Sequence, residues 1–388
     1  MNFYGYKRPD GRVGIRNHVL ILPASVCASD TARIAANQVA GATSFTNQLG
    51  CTQTSADVQL TLDTISGFAA NPNVYGTVVV ALGCENCQCH IVEDAIRART
   101  NKPLKSYIIR QEGGTIKTID KLVRSARDMV IEASTLRREE FPLSELILGT
   151  ECGGSDPTSG IAANPVIGEL SDMLVRLGGT SILSETPELM GAEHILAKRA
   201  KNRHVHDRIY EIIERYENHF IINGENLRLA NPTVGNKAGG ITTLEEKSLG
   251  CIYKAGSSPI NAVYDYSKQI DPADRGLIIM DTPGNDPASI AGMVAGGMQV
   301  CVFSTGHGTP LGSPISPVLK ITANRDTFRI MEDDIDFDAS PVLFGEKTAK
   351  EMGDELLKAV VDCCNGKLTK SEILGIGETA IMRACNYV

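Results

Sequence analysis

The chain has 388 residues, more than one ordinary hydrophobic core accommodates, and 42% of them are hydrophobic against 22% charged. These proportions exclude a disordered or fibrous protein. The 46 acidic and 38 basic residues give a net charge of −8 without a basic block, which argues against nucleic acid or an anionic membrane as partner. No secretion signal and no apolar run of about 18 residues is present, so we expect a cytoplasmic protein without a membrane span.

Eleven cysteines and 37 glycines distinguish the composition, whereas aromatic residues reach only 5% and Trp is absent. An odd number of cysteines without a secretion signal indicates free thiols or metal ligands better than a disulfide framework. Abundant glycine indicates tight loops in which backbone comes close to another group. The composition suits an enzyme better than a protein-binding surface, which is richer in Trp and Tyr.

Short β-branched runs alternate with segments of helical period, which is typical of βαβ units around parallel sheets. Strands are predicted at residues 19–22, 77–81, 104–109, 146–148, 180–183, 276–280 and 300–303. Helices are predicted at residues 30–39, 116–133 and 346–364. The prediction is an α/β protein with mostly parallel sheets flanked by helices and a helical C-terminal tail.

An internal repeat relates residues 20–39 to residues 146–166. Both segments begin with Leu-Ile-Leu, reach Ser-Asp after the same interval and continue with Ile-Ala-Ala-Asn. We interpret the match as a duplicated strand–loop–helix unit; chance similarity between common strand and helix residues is the alternative. The chain is then two related α/β halves, residues 1–140 and residues 141–388, the second with the C-terminal helical segment.

Six of the predicted strand ends carry Gly, Cys, acidic residues or His, where an open parallel sheet binds its ligands. Ordinary turn composition is the alternative explanation. Cys51, Cys84 and Cys152 each follow a strand, and three thiolates can hold a single iron or a cluster with one open iron position. Glu85, Asp156 and Asp281 are alternative ligands or hydrogen-bonding groups. Cys84, Cys87 and Cys89 have a spacing that resembles a metal loop, but no second Cys/His pair is evident, so Cys87 and Cys89 are interpreted as structural or spare thiols.

Two segments favour an anionic substrate. Arg16 and Asn17 lie just before the first strand, and a guanidinium suits the recognition of a carboxylate or sulfonate. Residues 231–250 form a loop bearing Asn236 and Lys237, followed by Thr242 and Thr243, which cap a predicted helix whose N-terminus could bind an anion. No P-loop is present, and no GxGxxG follows a strand.

The remaining site candidates come from the histidines and the second repeat. His307 lies in a flexible Thr-Gly-His-Gly loop, and His18 lies beside Arg16; either could transfer a proton near neutral pH. Ser155 and Asp156, in the loop of the second repeat, are predicted to bind substrate. Lys237 is assigned to the catalytic group together with His307 and His18.

Several longer motifs are spread along nearly the whole chain: GYKRPDGRVGIRN, ECGGSDPTSGIAANP, GNKAGGITTLEEKSLG, DTPGNDPASIAG and STGHGTPLGSP. Together they resemble the altronate/galactarate dehydratase family. The resemblance implies a lyase that acts on a small hydroxy acid and depends on iron or a similar divalent metal such as Mn²⁺. Because it begins at Tyr4, it leaves no room for the SAF-type domain of single-chain members, so a separate small SAF-domain subunit is expected.

Three functions remain open from the sequence. The first is the large subunit of an altronate-type dehydratase, which eliminates water from an α-hydroxy acid. The second is the large subunit of a sulfolactate sulfo-lyase, which eliminates sulfite after the same proton removal. The third, from another class, is a non-catalytic ligand-binding or scaffold subunit. A symmetric homo-oligomer is expected for any of them.

Overall fold

The computed structural model describes residues 1–385, and the first half of the chain forms two small sheets. Its strands are β1 (Asn2–Lys7), β2 (Val13–Gly14), β3 (His18–Pro23), β4 (Ala42–Thr43), β5 (Val74–Ala81), β6 (Leu104–Ile108) and β7 (Glu139–Pro142). Its helices are α1 (Val26–Ala36), α2 (Ser55–Ala70), α3 (Cys89–Arg97) and α4 (Thr115–Thr135). The sheet in the order β4-β3-β5-β6 is parallel, and β2-β1-β7 is antiparallel.

The second half contains a larger parallel sheet in the order β10-β11-β9-β8-β12-β13-β14. Its strands are β8 (Ile147–Cys152), β9 (Thr180–Leu183), β10 (Ile260–Tyr264), β11 (Gly276–Met280), β12 (Val300–Ser304), β13 (Val318–Thr322) and β14 (Phe337–Asp338). The helices before β10 are α5 (Asn164–Arg176), α6 (Thr186–Leu189), α7 (Glu193–Ala197), α8 (Arg203–Ile222), α9 (Leu227–Ala230), α10 (Val234–Ala238) and α11 (Leu244–Ile252). The later helices are α12 (Asp286–Gly296), α13 (Arg325–Ile330), α14 (Ala349–Cys364) and α15 (Lys370–Leu374).

The predicted α/β architecture is confirmed, including the parallel sheets, the flanking helices and the helical C-terminal region. Each predicted strand overlaps an observed one, and the helix predicted at residues 116–133 is α4. The helix predicted at residues 346–364 is α14, which begins at Ala349 because Thr348 and Glu351 close its first turn with a capping box. Within residues 1–385, no helix combines enough length with enough apolar residues to span a bilayer.

The two copies of the repeat follow different paths after their strands. In the first copy, β3 ends at Pro23 and α1 begins at Val26, four residues earlier than predicted. In the second copy, β8 continues to Cys152, and a loop and one π-helical turn (Ser159–Ala163) precede α5. Gly154 supports this loop with a φ of +58°, a conformation that side-chain-bearing residues rarely adopt.

The two halves share a common interior. One apolar cluster contains Leu22 and Phe68 from the first half together with Ile278 and Met293 from the second. Helices α2 and α12 pack closely, since a Cβ added to Gly67 would lie 2.6 Å from a backbone oxygen of α12.

Polar side chains also cross this boundary between the halves. The buried amide of Asn71 donates to the carbonyls of Val294 and Met298 at 2.8 and 2.9 Å, and that of Asn73 donates to Gln299 at 2.9 Å. The boundary is therefore packed and hydrogen-bonded like the inside of one domain.

Candidate active site

Three carboxylates meet at the carboxyl edge of the large sheet. Glu151 is the penultimate residue of β8, Glu185 follows β9, and Asp286 begins α12 after β11. Because parallel strands end at the same edge, these residues converge, and one oxygen of each lies within 4.8 Å of the others. Glu151 and Glu185 are buried, while Asp286 is partly buried.

Glu185 is held in a strained backbone conformation. Its φ of 66° and ψ of 68° lie in the left-handed region, which costs energy for a residue with a side chain. The Glu185 amide donates to the Thr282 hydroxyl at 2.7 Å. Its carboxylate accepts from the Cys152 amide at 2.9 Å and pairs with the Lys254 ammonium at 2.7 Å. These contacts fix the carboxylate beside the end of β8.

Glu151 has one satisfied and one unsatisfied carboxylate oxygen. Its Oε2 accepts from the hydroxyls of Ser184 and Ser289 at 2.9 and 2.7 Å. Its Oε1 is buried and has no hydrogen-bond partner within residues 1–385. A buried carboxylate oxygen without a partner is costly unless a ligand or a proton completes it.

Burial and mutual repulsion act on the protonation of these carboxylates. Burial, reinforced by the negative charge of Cys152, raises the pKa of Glu185 to about 7. Burial and the neighbouring Glu185 raise the pKa of Asp286 to about 7, and burial with the same neighbour raises the pKa of Glu151 well above its ordinary value. Each carboxyl group therefore binds a proton more readily than an exposed carboxyl group does, and nearby positive charge opposes this effect.

Two buried lysines supply positive charge beside the carboxylates. Lys254 follows α11 and pairs with Glu185; Lys247, within α11, lies 3.0 Å from the Glu188 carboxylate and donates to the Ser155 hydroxyl at 3.0 Å. Burial opposes the charge of Lys254, but the negative charges of Cys152 and Glu185 outweigh burial and raise the pKa of Lys254. Both lysines are therefore fixed cations inside the site.

Two thiols complete the buried part of the site. The sulfur atoms of Cys152 and Cys251 lie 3.5 Å apart, and the Cys251 thiol also lies 3.5 Å from a Glu188 carboxylate oxygen. The hydrogen bond from Cys251 lowers the pKa of Cys152 well below its ordinary value, an effect that the charges of Lys254 and Lys247 reinforce despite burial.

Four of the predicted site residues come together where the loop after β8 meets α10 and the loop after β12, which we call the rim of the site. They are Ser155, Asp156, Asn236 and His307. The Asn236 amide donates to the Ser155 carbonyl at 3.0 Å, and the His307 backbone amide donates to the Gly154 carbonyl at 2.9 Å. Asp156 accepts from the amide of Asn324 at 3.0 Å, which anchors the loop. The exposed His307 ring lies 3.2 Å from the Gly235 carbonyl.

The threonines and Lys237 lie in the same segment of the chain. Thr243 caps α11 by accepting from the Glu246 amide at 3.1 Å, and the Thr242 amide and hydroxyl both donate to the Glu246 carboxylate at 2.8 Å. The Glu246 carboxylate therefore lies beside the helix N-terminus that was predicted to bind an anion. Lys237 is exposed on α10, next to the residues of the rim.

Arg16, Asn17 and His18 lie in the first half, where their polar contacts are with structural groups. Arg16 is buried and pairs with Glu372 of α15 at 2.6 Å, and it donates to the carbonyl of Cys363. Asn17 donates to the Ala133 carbonyl at 2.8 Å and accepts from Arg8. Burial and the charge of Arg16 lower the pKa of His18 to about 4. None of these contacts involves the carboxylates, lysines or thiols described above.

The three cysteines predicted as metal ligands are not grouped. Cys51 and Cys84 are exposed, whereas Cys152 is buried. Within residues 1–385, three or more ligand atoms of His, Cys, Asp or Glu within 4.8 Å of one another occur at Glu151, Glu185 and Asp286, and no such group contains the three cysteines. Their role as joint metal ligands stays a prediction.

The alternative ligands named from the sequence have other partners. Glu85 accepts from the amides of Gly83 and Cys84, and Asp281 pairs with Arg215 at 2.6 Å and accepts from the Thr186 hydroxyl. The sequence analysis did not select Glu151, Glu185, Asp286, Lys247, Lys254 or Cys251. Glu151 and Asp286 fall in segments that it marked as strand ends, and Glu185 follows a strand that it predicted correctly.

Comparison with known protein families identifies the family of the chain. The family described as D-galactarate dehydratase/altronate hydrolase, second domain, matches residues 5–134, and the family described as D-galactarate/altronate dehydratase, C-terminal, matches residues 143–386. The chain belongs to the galactarate/altronate dehydratase family. The resemblance stated from the sequence motifs is thus confirmed.

Members of this family with similar sequences include enzymes with different leaving groups. The chain is 39% identical to the (2R)-sulfolactate sulfo-lyase subunit beta of Chromohalobacter salexigens, over 98% of this chain and 97% of that protein. It is 33% identical to the altronate dehydratase of Bacillus subtilis and 34% identical to that of Escherichia coli, over 98% of this chain and 78% and 77% of those proteins. These relatives are dehydratases and a sulfo-lyase, so this member of the galactarate/altronate dehydratase family is a lyase.

Proposed function

We propose that this chain is the catalytic large subunit of a divalent-metal-dependent lyase that removes a β-substituent from a small α-hydroxy acid. The observation that carries the proposal is the group formed by Glu151, Glu185 and Asp286, with one buried Glu151 oxygen left without a partner. Two buried lysines lie beside this group, so the site can hold several negative charges together. A non-catalytic scaffold would not need such a costly arrangement.

The residues present fit a single hard cation better than a cluster. Three carboxylates offer oxygen ligands, which suit Mn²⁺, Fe²⁺ or Mg²⁺, whereas an iron–sulfur cluster requires several thiolates. The unpartnered Oε1 of Glu151 would gain a partner from such an ion. We therefore propose Glu151, Glu185 and Asp286 as the ligands of one Mn²⁺ or Fe²⁺ ion, in place of the predicted Cys51, Cys84 and Cys152.

The reaction needs positive charge where electrons accumulate. Removal of the proton next to a carboxylate creates a doubly negative aci-carboxylate, and a bound divalent cation supplies charge that stabilises it. The Lys247 ammonium donates to the hydroxyl of Ser155, a residue predicted to bind substrate. We therefore assign to Lys247 the binding of an anionic substrate oxygen. Lys254 neutralises Glu185 and keeps that carboxylate in place.

The rim supplies groups for binding and proton transfer. His307 is exposed beside the loop that bears Ser155 and Asp156, so we assign to it the transfer of a proton to or from the reacting substrate. Lys237, on the same segment as the Gly235 carbonyl that faces His307, is assigned to an anionic group of the substrate.

Sulfolactate is the first substrate to test and altronate the second. The sulfo-lyase subunit shares 39% identity over nearly its whole length, against 33% and 34% for the two altronate dehydratases. Its name describes one subunit of a larger enzyme, and the altronate dehydratases extend well beyond the part that this chain matches. We therefore propose that a separate small subunit, of the SAF-domain type, completes the enzyme.

The substrate experiment uses the tagged chain isolated from its own cells with any subunit that it retains. The complex is incubated with (2R)-sulfolactate and with D-altronate under Mn²⁺ or Fe²⁺, and sulfite and 2-oxo acid are measured separately. Sulfite from sulfolactate supports our first choice, and 2-oxo acid only from altronate replaces it with the second. Turnover of neither substrate, or of the metal-stripped complex at the same rate, would contradict the proposal.

The metal ligands are tested by Glu151→Gln, which keeps the shape and removes one charge. We expect its affinity for Mn²⁺, measured by equilibrium dialysis with elemental analysis, to fall at least about 10-fold. Exposed Glu139→Gln is the matched control and should bind Mn²⁺ like the unaltered chain. Unchanged affinity in Glu151→Gln would assign the metal to other residues.

A further inference from the structure

Cys152 and Cys251 form a close pair of free thiols that the proposed reaction does not require. Cys152 ends β8, and Cys251 lies in the last turn of α11, yet their sulfur atoms are only 3.5 Å apart. A disulfide requires about 2.05 Å between sulfur atoms. A small movement of the two side chains would therefore suffice to join elements separated by 99 positions in the sequence.

One member of the pair, Cys251, can be reached from solvent through an open groove. Cys251 lines an open groove of about 230 Å³ together with Ser155, Lys247, Ile241 and Tyr253. This volume accommodates several water-sized molecules, so a small neutral oxidant can reach Cys251. Larger thiol reagents are hindered, since Cys152 and Cys251 are each only 2% exposed.

We propose that Cys152 and Cys251 are a modification site at which a small peroxide forms a disulfide. One sulfur attacks an oxygen of hydrogen peroxide, which breaks the O–O bond and yields a sulfenic acid and one water. The second thiol then attacks that sulfur, forms the S–S bond and releases a second water. Two thiols lose two electrons in total, and one peroxide gains them.

The disulfide would alter the site through its two attachment points. Cys152 adjoins Glu151, and Cys251 lies one turn of α11 beyond Lys247. Joining the sulfur atoms removes the proton of Cys251, whose sulfur lies 3.5 Å from the Glu188 carboxylate, and ties the end of α11 covalently to β8. We expect lyase activity to fall at least about 10-fold and to return on reduction with dithiothreitol.

The experiment treats the full chain with stoichiometric hydrogen peroxide, blocks the remaining thiols and maps peptides by mass spectrometry. We expect a peptide linked through Cys152 and Cys251 and a loss of two of the eleven titratable thiols. The exposed-site control Cys27→Ser should retain the link, and Cys251→Ser should lose it. Because Cys251→Ser could impair folding, Cys152→Ser is tested as well, and circular dichroism checks both.

The outcomes separate this inference from the proposed lyase. Oxidation confined to exposed Cys27, Cys51 or Cys84, without the internal link, would overturn the inference. A link that forms without any change in turnover would overturn the part of the inference that says the disulfide lowers lyase activity. The peptide map does not depend on which substrate is used, so the link is tested even if sulfolactate and altronate both fail.

Discussion

Lys254 and Glu185 form an ion pair of 2.7 Å in which both side chains are only 1% exposed. The pair joins the segment after α11 to the end of β9. The backbone of Glu185 has a left-handed conformation, which is disfavoured for a residue with a side chain. The interaction therefore positions one of the three carboxylates at the centre of the candidate site.

Replacing Lys254 with Met should destabilise the protein strongly, because it leaves a buried carboxylate without its partner. We expect a loss of about 3–5 kcal/mol in the free energy of unfolding, measured by chemical denaturation. Lys268→Met is the control, since Lys268 is half exposed in its pair with Asp63 and should cost about 1 kcal/mol or less. Equal losses for the two variants would show that burial does not distinguish the pairs.

Gly153→Ala should displace a proposed metal ligand without changing any charge. A Cβ at Gly153 would lie 2.3 Å from the Asp286 carboxylate and 2.7 Å from the Phe303 ring, closer than real contacts allow. We expect Mn²⁺ affinity and turnover to fall at least about 10-fold. Gly235→Ala is the control for Mn²⁺ affinity, because its Cβ would meet no atom within 4 Å. Full Mn²⁺ affinity in Gly153→Ala would remove Asp286 from the ligand set.

Arg16→Met distinguishes a structural arginine from the substrate-binding arginine predicted by the sequence. Arg16 is buried and pairs with Glu372 at 2.6 Å, so its loss should cost about 2 kcal/mol or more in stability. We expect the KM of the folded variant to stay unchanged. Arg329→Met is the control, because its pair with Asp326 is exposed. A tenfold rise in KM at unchanged stability would instead support the role predicted from the sequence.

His18 should make the protein sensitive to acid. Its pKa is about 4 in the folded chain and 6.5 ordinarily, so the unfolded chain binds more protons between these values. The stability that depends on neutral His18 is therefore fully present above pH 6.5 and is lost as the pH falls towards 4. His18→Gln should reduce this loss by up to about 3 kcal/mol, measured from unfolding curves at pH 7 and pH 4.5. Exposed His204→Gln should leave the loss unchanged.

Periodicity predicted the strands well, and with them the edge of the sheet at which the site lies. It could not predict which side chains at that edge point towards one another. Glu185 is turned inwards by a left-handed backbone conformation that no residue pattern announces. Lys254 and Cys251 reach the edge only because α11 packs there, and tertiary packing of this kind has no local signal.

Arg16 and His18 show a second feature that the sequence pattern did not reveal, namely the end of the strand at which they lie. They precede or begin β3, so they lie at its amino end, whereas ligands of parallel sheets bind at the carboxyl end. The partner of Arg16, Glu372, lies 356 positions away in the sequence. The repeat also concealed a divergence: Ser155 and Asp156 lie in a loop of the site, but the corresponding Ser29 and Asp30 lie inside α1.

The amides of Asn71 and Asn73 bear on how substrate enters and product leaves. Swinging the two halves apart would strip partners from several buried carbonyls at once, including those of Val294, Met298 and Gln299. A clamshell motion is therefore energetically unfavourable in this architecture. Substrate and product must instead exchange with solvent without separation of the halves, and the groove lined by Ser155, Lys247 and Cys251 is already open to solvent.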